Sequence, residues 1–208
     1  MKKLLIFDYD GVIADTLDML WKTFDKLNKK YNFFPFKNKN EFTRLWDENQ
    51  FVSTTKLGIS ATDNDKFYKE WVDLLIQNND KMKPFDGFKS ILKKLSQDNS
   101  LVIISSNDDR VIIDFLKKND LFNYFDSILG MESGRSKKEK LKIVLNKFNN
   151  PEDRTYFITD TIGDLKEVKD CEIKTVAVTW GYHDKNKLQK ENPDFLVETP
   201  KELLELFL

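Results

Sequence analysis

One cysteine, Cys171, and one histidine, His183, occur in 208 residues. An intramolecular disulfide is thereby excluded, and so is a zinc site built on cysteines. Any mechanism or metal cage needing two imidazoles is excluded as well. A Ser-His-Asp hydrolase would have to run through His183, and no G-x-S-x-G turn accompanies it. Long apolar runs are missing: no 18 consecutive residues are apolar, so no membrane-spanning helix is predicted. The early Leu-Leu-Ile-Phe run stops at Asp8, too short for the apolar stretch of a secretion signal. It reads as a buried first strand, and the chain is expected in the cytoplasm. Neither sign of charge prevails, with 34 Lys+Arg against 35 Asp+Glu. That balance supplies no basic field for nucleic acid, so neither nucleic acid nor membrane is an expected partner.

Apolar residues make up 40% of the chain and include 17 Phe, enough for one large domain or a core with a smaller lobe. Five short apolar runs, residues 4–7, 101–104, 156–158, 175–178 and 195–197, predict strands of a parallel sheet. Helical spacing lies between them: Phe88, Ile91, Leu92 and Leu95; Val111, Ile112, Phe115 and Leu116; Leu141, Val144, Leu145 and Phe148. Thr199 followed by Pro200 starts a last helix. The alternation predicts an α/β fold with a doubly wound parallel sheet. One stretch breaks it. Residues 17–81 hold only helical patterns, with Leu17, Leu20, Trp21, Phe24, Leu27 and Tyr31 on one face and Phe67, Trp71, Leu74 and Leu75 on another. A core of residues 1–15 and 82–208 is therefore expected, with a small all-helical cap, 16–81, inserted after the first strand. Trp21, Phe24 and Trp71 are expected in the cap interior, Cys171 as a small buried hydrophobe and His183 at the surface.

In an open α/β sheet, ligands bind beyond the carboxyl ends of the strands. Asp8-Tyr9-Asp10-Gly11 follows the first run, Ser105-Ser106-Asn107-Asp108 the second, and Thr159-Asp160-Thr161-Ile162-Gly163-Asp164 the third. Four acids in one pocket (Asp8, Asp10, Asp160 and Asp164) repel one another unless a cation sits among them. Oxygen donors without His or Cys favour a hard ion, Mg²⁺ ahead of Ca²⁺ or Zn²⁺. The hydroxyls and amide of Ser105, Ser106 and Asn107 beside such an ion form an anion site, with phosphate the usual anion. Gly11 would let backbone N–H groups approach it. Plain structural readings compete with each motif: a turn at Asp8 to Gly11, a helix cap at Ser105 to Asn107, a helix N-terminal acid at Asp164. The convergence of three strand tips outweighs them.

Asp8-Tyr9-Asp10-Gly11-Val12-Ile13-Ala14-Asp15-Thr16 resembles the first motif of the haloacid dehalogenase superfamily, D-x-D-G-x-x-x-D-T. Val102-Ile103-Ile104-Ser105 is similar to its second motif, Asp160 to Asp164 to its fourth, and the helical insertion to its small cap. Val176 to Tyr182 resembles the phosphoglycolate-phosphatase-like branch. The resemblance implies a Mg²⁺-dependent phosphatase of small phosphorylated metabolites. Asp8 would be the nucleophile and Asp10 the general acid and base. Asp8, the Asp10 backbone carbonyl, Asp160 and Asp164 would hold the ion, and Ser105 the phosphoryl oxygens. The dehalogenase branch lacks the second acid, so Asp10 favours a phosphate ester. Of the lysines near the third motif, Lys137 is preferred for charge neutralisation, with Lys138 as rival; Lys140 reads as solvated. Thr159 stands where many relatives have Gly. Arg44 and Lys56 in the cap could meet a substrate carboxylate or second phosphate, and also read as ordinary surface residues. A phosphomutase, or a catalytically silent binding protein of the same fold, is the alternative.

Overall fold

Alternation along the first strand decides the layering. The computed structural model describes residues 2–58, 60–149 and 152–208. In β1 (Lys3–Phe7), Leu5 and Phe7 enter one apolar cluster while Leu4 and Ile6 enter another, as the two-residue period of a strand requires. The other strands are β2 (Ala14–Asp15), β3 (Lys83–Pro84), β4 (Asn99–Ile104), β5 (Ser127–Leu129), β6 (Thr155–Thr159), β7 (Lys174–Val178) and β8 (Phe195–Val197). The helices are α1 (Leu17–Tyr31), α2 (Lys39–Phe42), α3 (Gln50–Lys56), α4 (Ala61–Gln77), α5 (Phe88–Asp98), α6 (Asp109–Lys118), α7 (Lys137–Phe148), α8 (Ile162–Val168), α9 (Lys185–Gln189) and α10 (Pro200–Phe207).

Six strands form one sheet in the order β5-β4-β1-β6-β7-β8, every pair parallel. Helices α5, α6 and α10 bury their apolar stripes against the Leu5 face. Helices α7 and α8 cover the opposite face. The core is thus the doubly wound α/β sheet that the sequence predicts. β1 lies between β4 and β6, with Phe7 opposite both Ile103 and Ile158. The chain therefore leaves this central strand in two directions, and a crevice opens past Phe7.

The helical segment joins this core at a two-stranded antiparallel ribbon, where Ala14 pairs with Pro84 and Asp15 with Lys83. Both crossings thus run side by side. Phe24 of α1 centres the segment's interior, with the rings of Phe34, Phe36, Phe42 and Phe67 at 4.9, 5.9, 4.5 and 5.8 Å. Rings at such spacings pack at varied tilts and bury large apolar areas in few residues.

Two features depart from the sequence expectation. A sixth core strand, β5, stands at the sheet edge; its Ser-Ile-Leu holds only two apolar residues in a row. Cys171 is only half-buried, at the margin of the Leu4 cluster. No helix among the described residues is long and apolar enough to cross a membrane.

Candidate active site

Asp8 follows the last residue of β1. Its Oδ1 accepts the Tyr9 N–H at 2.8 Å and lies 2.6 Å from Lys137 Nζ. The same ammonium is 3.2 Å from Asp164 Oδ2 and donates to the Ile104 carbonyl at 3.1 Å. Lys137 is the first residue of α7, whose start is fixed by a capping box between Ser136 and Glu139. Burial works against its charge, but Asp164 and Asp8 outweigh burial and hold its pKa above the usual lysine value. Lys138 points away, towards Asp170 at 4.0 Å. Lys140 is fully buried and donates to the Ser105 carbonyl; burial lowers its pKa to about 8. The solvated reading of Lys140 is therefore corrected. Its spacing of three from Lys137 was the available signal, since i and i+3 share a helix face.

Asp10 is oriented by Asn107, whose Nδ2 donates to Asp10 Oδ2 at 3.0 Å. Burial lifts the Asp10 pKa to about 6, against the pull of hydrogen bonds from Asn107 and Thr16. The Asn107 N–H donates to Ser105 Oγ at 3.0 Å, and one Nδ2 hydrogen of Asn107, which lines the cavity, is left over after the bond to Asp10. The helix cap at this strand end is Asp108, which accepts the Arg110 N–H. Gly11 also has a different role from the expected one. Its N–H donates to the Ala14 carbonyl at 2.9 Å, which leaves it unavailable to phosphate. Its φ is +76°, and a Cβ there would stand 2.0 Å from Asp160 Oδ2. Glycine at this place makes room for Asp160.

Asp160 is fully buried. Its Oδ2 accepts the Tyr182 N–H at 2.6 Å, and a Cβ on Gly181 would come within 2.2 Å of the same atom. Burial foremost, with repulsion from Asp164, raises its pKa to about 8. Asp164 accepts the Thr159 hydroxyl at 2.8 Å, so this threonine holds the acid. One cavity is walled by Asp8, Asp10, Ser105, Ser106, Asn107, Lys137 and Asp164 below and by residues of the helical segment above. Asp160 and Gly11 lie outside that wall.

Among the described residues, no three His, Cys, Asp or Glu side chains are grouped as a metal cage. The ligand set that the resemblance implies uses the Asp10 backbone carbonyl; the Asp10 carboxyl is turned to Asn107, and Asp160 sits behind the cavity wall. The charge is nevertheless unbalanced. Burial, Asp164 and Asp160 drive the Asp8 pKa well up against the pull of Lys137, and Asp10 Oδ1 and Asp160 Oδ1 are buried without partners. This donor set fits a hard divalent ion that takes few carboxylates and completes its shell from backbone, water or substrate oxygens.

His183 is 2% exposed, which overturns the surface assignment. Its Nδ1 accepts the Ile162 N–H at 3.0 Å and its Nε2 faces the Thr43 carbonyl at 3.2 Å. The ring therefore carries its proton on Nε2 and joins the two parts of the chain; the turn at Thr43–Trp46 covers what reads as an open loop. A Cβ on Gly163 would come within 2.7 Å of the Trp46 and Glu48 carbonyls, so the helical segment rests directly on α8. Trp46 packs edge-on against Tyr182 at 4.8 Å. Arg44 and Lys56 are exposed, Lys56 is paired with Glu48, and neither reaches the cavity.

The profile of the family described as haloacid dehalogenase-like hydrolase matches residues 5–178. The chain is similar to a phosphoglycolate phosphatase of Synechococcus elongatus, 24% identical over 97% of this chain and 95% of that protein. It is similar to the pyrophosphatase PpaX of Listeria monocytogenes, 26% identical over 96% and 94%. A haloacid dehalogenase-like family hydrolase of Streptococcus pneumoniae shares the fold, with a TM-score of 0.84 over 100% of this chain and 99% of that one at 19% identity. Sequence profile and sheet order agree from the first strand to the fifth strand of the core in chain order, and the chain belongs to the haloacid dehalogenase-like hydrolases.

Proposed function

We propose that this chain is a phosphatase that hydrolyses monoesters of small phosphorylated metabolites through an aspartyl-phosphate on Asp8. The observation that carries the reading is the Asp8 carboxylate held 2.6 Å from Lys137 Nζ at the floor of a cavity, with the Asp10 carboxyl on the same wall. The relatives' names, a phosphatase and a pyrophosphatase, support phosphoryl chemistry.

In the first step Asp8 attacks phosphorus in line; its oxygen bonds to phosphorus as the bond to the leaving oxygen breaks. Asp10 gives its proton to that oxygen. A pKa of about 6 suits a group that must be protonated in one step and ionised in the next. In the second step water attacks phosphorus, Asp10 takes its proton, and Asp8 leaves with its carboxylate restored. Lys137 offsets the charge of Asp8 and the phosphoryl oxygens throughout, and the Ser105 hydroxyl can donate to one of those oxygens. A divalent ion, Mg²⁺ by donor chemistry, would be held by Asp8, the Asp10 carbonyl, Asp160 and Asp164, and would screen phosphate from the carboxylate. The test is phosphate release from a metabolite panel by wild type and Asp8→Asn. At least a 10³-fold loss is expected with the thermal midpoint retained; full activity in the variant would overturn the proposal.

A further inference from the structure

A phosphoryl group seated against Asp8 and Lys137 sends its leaving group towards the roof of the cavity. That roof is mainly one face of α4, where Tyr68, Trp71, Val72 and Leu75 follow the i, i+3, i+4, i+7 spacing of a helix stripe. It holds no cation. Lys137 is the one Lys or Arg on the cavity wall among the described residues, and it is already engaged by two carboxylates. Arg110 is held by both oxygens of Asp108 at 2.8 Å. Burial first, then the charges of Asp108, Glu132 and Asp10, push the Tyr68 phenol above its ordinary pKa against the pull of Arg110; carboxylates outnumber the one guanidinium around it. A second anion on the substrate would enter that field without a counter-ion, the costly way to bury charge.

Two roof atoms ask for something else. Tyr68 Oη and Trp71 Nε1 are buried and have no hydrogen-bond partner. An indole N–H can only donate, and a phenol hydroxyl donates readily. Two unmatched donors between apolar walls fit an uncharged acceptor.

We infer that the leaving group this site selects is uncharged, with an apolar or aromatic body and a carbonyl- or ether-type acceptor reached by Tyr68 and Trp71. A leaving group bearing a carboxylate or a second phosphate is disfavoured. The inference rests on the phosphatase reading and separates this chain from what its relatives' names describe.

The matched test compares phosphoglycolate with its methyl ester, which changes the charge and keeps the reacting bond. Inorganic pyrophosphate and benzyl phosphate complete the panel, with p-nitrophenyl phosphate as a general reporter. With Mg²⁺ present, the methyl ester should exceed both phosphoglycolate and pyrophosphate at least tenfold in kcat/KM. Tyr68→Phe should raise KM for the methyl ester about fivefold, the worth of one ordinary hydrogen bond, and leave benzyl phosphate, which lacks the acceptor, within twofold. A preference for phosphoglycolate or pyrophosphate overturns the inference and leaves the phosphatase reading standing. Equal effects of Tyr68→Phe on both esters overturn the assignment of that donor. No turnover of any ester, p-nitrophenyl phosphate included, by folded protein overturns the phosphatase reading and this inference with it.

Discussion

His183 links two stretches of backbone 119 positions apart, at Thr43 and Ile162, through one neutral ring. Burial, with the charge of Lys187 adding to it, lowers its pKa from 6.5 to about 4. Between those values the unfolded chain binds a proton that the folded chain refuses. Stability from this residue is therefore complete above pH 6.5 and is lost as pH falls towards 4, by at most about 3 kcal/mol. Urea unfolding at pH 7.5 and pH 5.0 checks it: His183→Gln should shrink the difference between the two pH values by about 2 kcal/mol. Parallel losses in wild type and variant would mean that the imidazole titrates freely. The sequence could not announce this residue, because Gly181-Tyr182-His183-Asp184 has the composition of an open turn and its cover comes from residues far away in the chain. Asp8 and Asp10 were readable for the opposite reason: their neighbours in sequence form the strand that aims them.

At the level of elements, α8 and the turn above it meet in a close contact between core and helical segment. Gly163 has an ordinary helical backbone, so a larger residue suits α8 itself; the obstruction is the pair of carbonyls 2.7 Å from its missing Cβ. Gly163→Val should lower the thermal midpoint by several degrees and kcat/KM at least tenfold, with faster proteolysis between residues 46 and 49 of folded protein. Unchanged kinetics would show that the closed contact takes no part in turnover. Long amphipathic helices were legible because their periods repeat, and core strands because three or more apolar residues follow one another, even in the three-residue β8. β5, Ser-Ile-Leu, has only two in a row. The roof of α4 was misread in part: Trp71 was expected in the cap interior, and it packs against Phe24 at 6.4 Å while also facing the cavity. One helix face serves both purposes, and a stripe in a sequence cannot show where along its width the interior ends.

For the molecule as a whole, the excess of buried negative charge at the sheet's end is a standing cost in the metal-free state. A divalent ion that binds only the folded state adds about 2.7 kcal/mol at a hundred times its dissociation constant. Mg²⁺ should raise the thermal midpoint by several degrees and EDTA should reverse the rise. Measured above pH 8, where Asp160 is ionised, Asp160→Asn should melt higher than wild type without metal, since it removes one of the repelling carboxylates, and should respond less to Mg²⁺. A wild-type midpoint indifferent to Mg²⁺, Mn²⁺ and EDTA would count against the metal assignment.

The strand order also fixes when the molecule can fold. β1 is synthesised first, yet its partners begin at Asn99 and Thr155. Until the segment at Thr155 follows, the Lys-Leu-Leu-Ile-Phe strand has an unsatisfied edge. Pairings of such sequence separation close slowly and leave apolar edges exposed meanwhile. Refolding yield should therefore fall steeply with protein concentration, and the strand that leads into Asp8 is a segment in need of a chaperone.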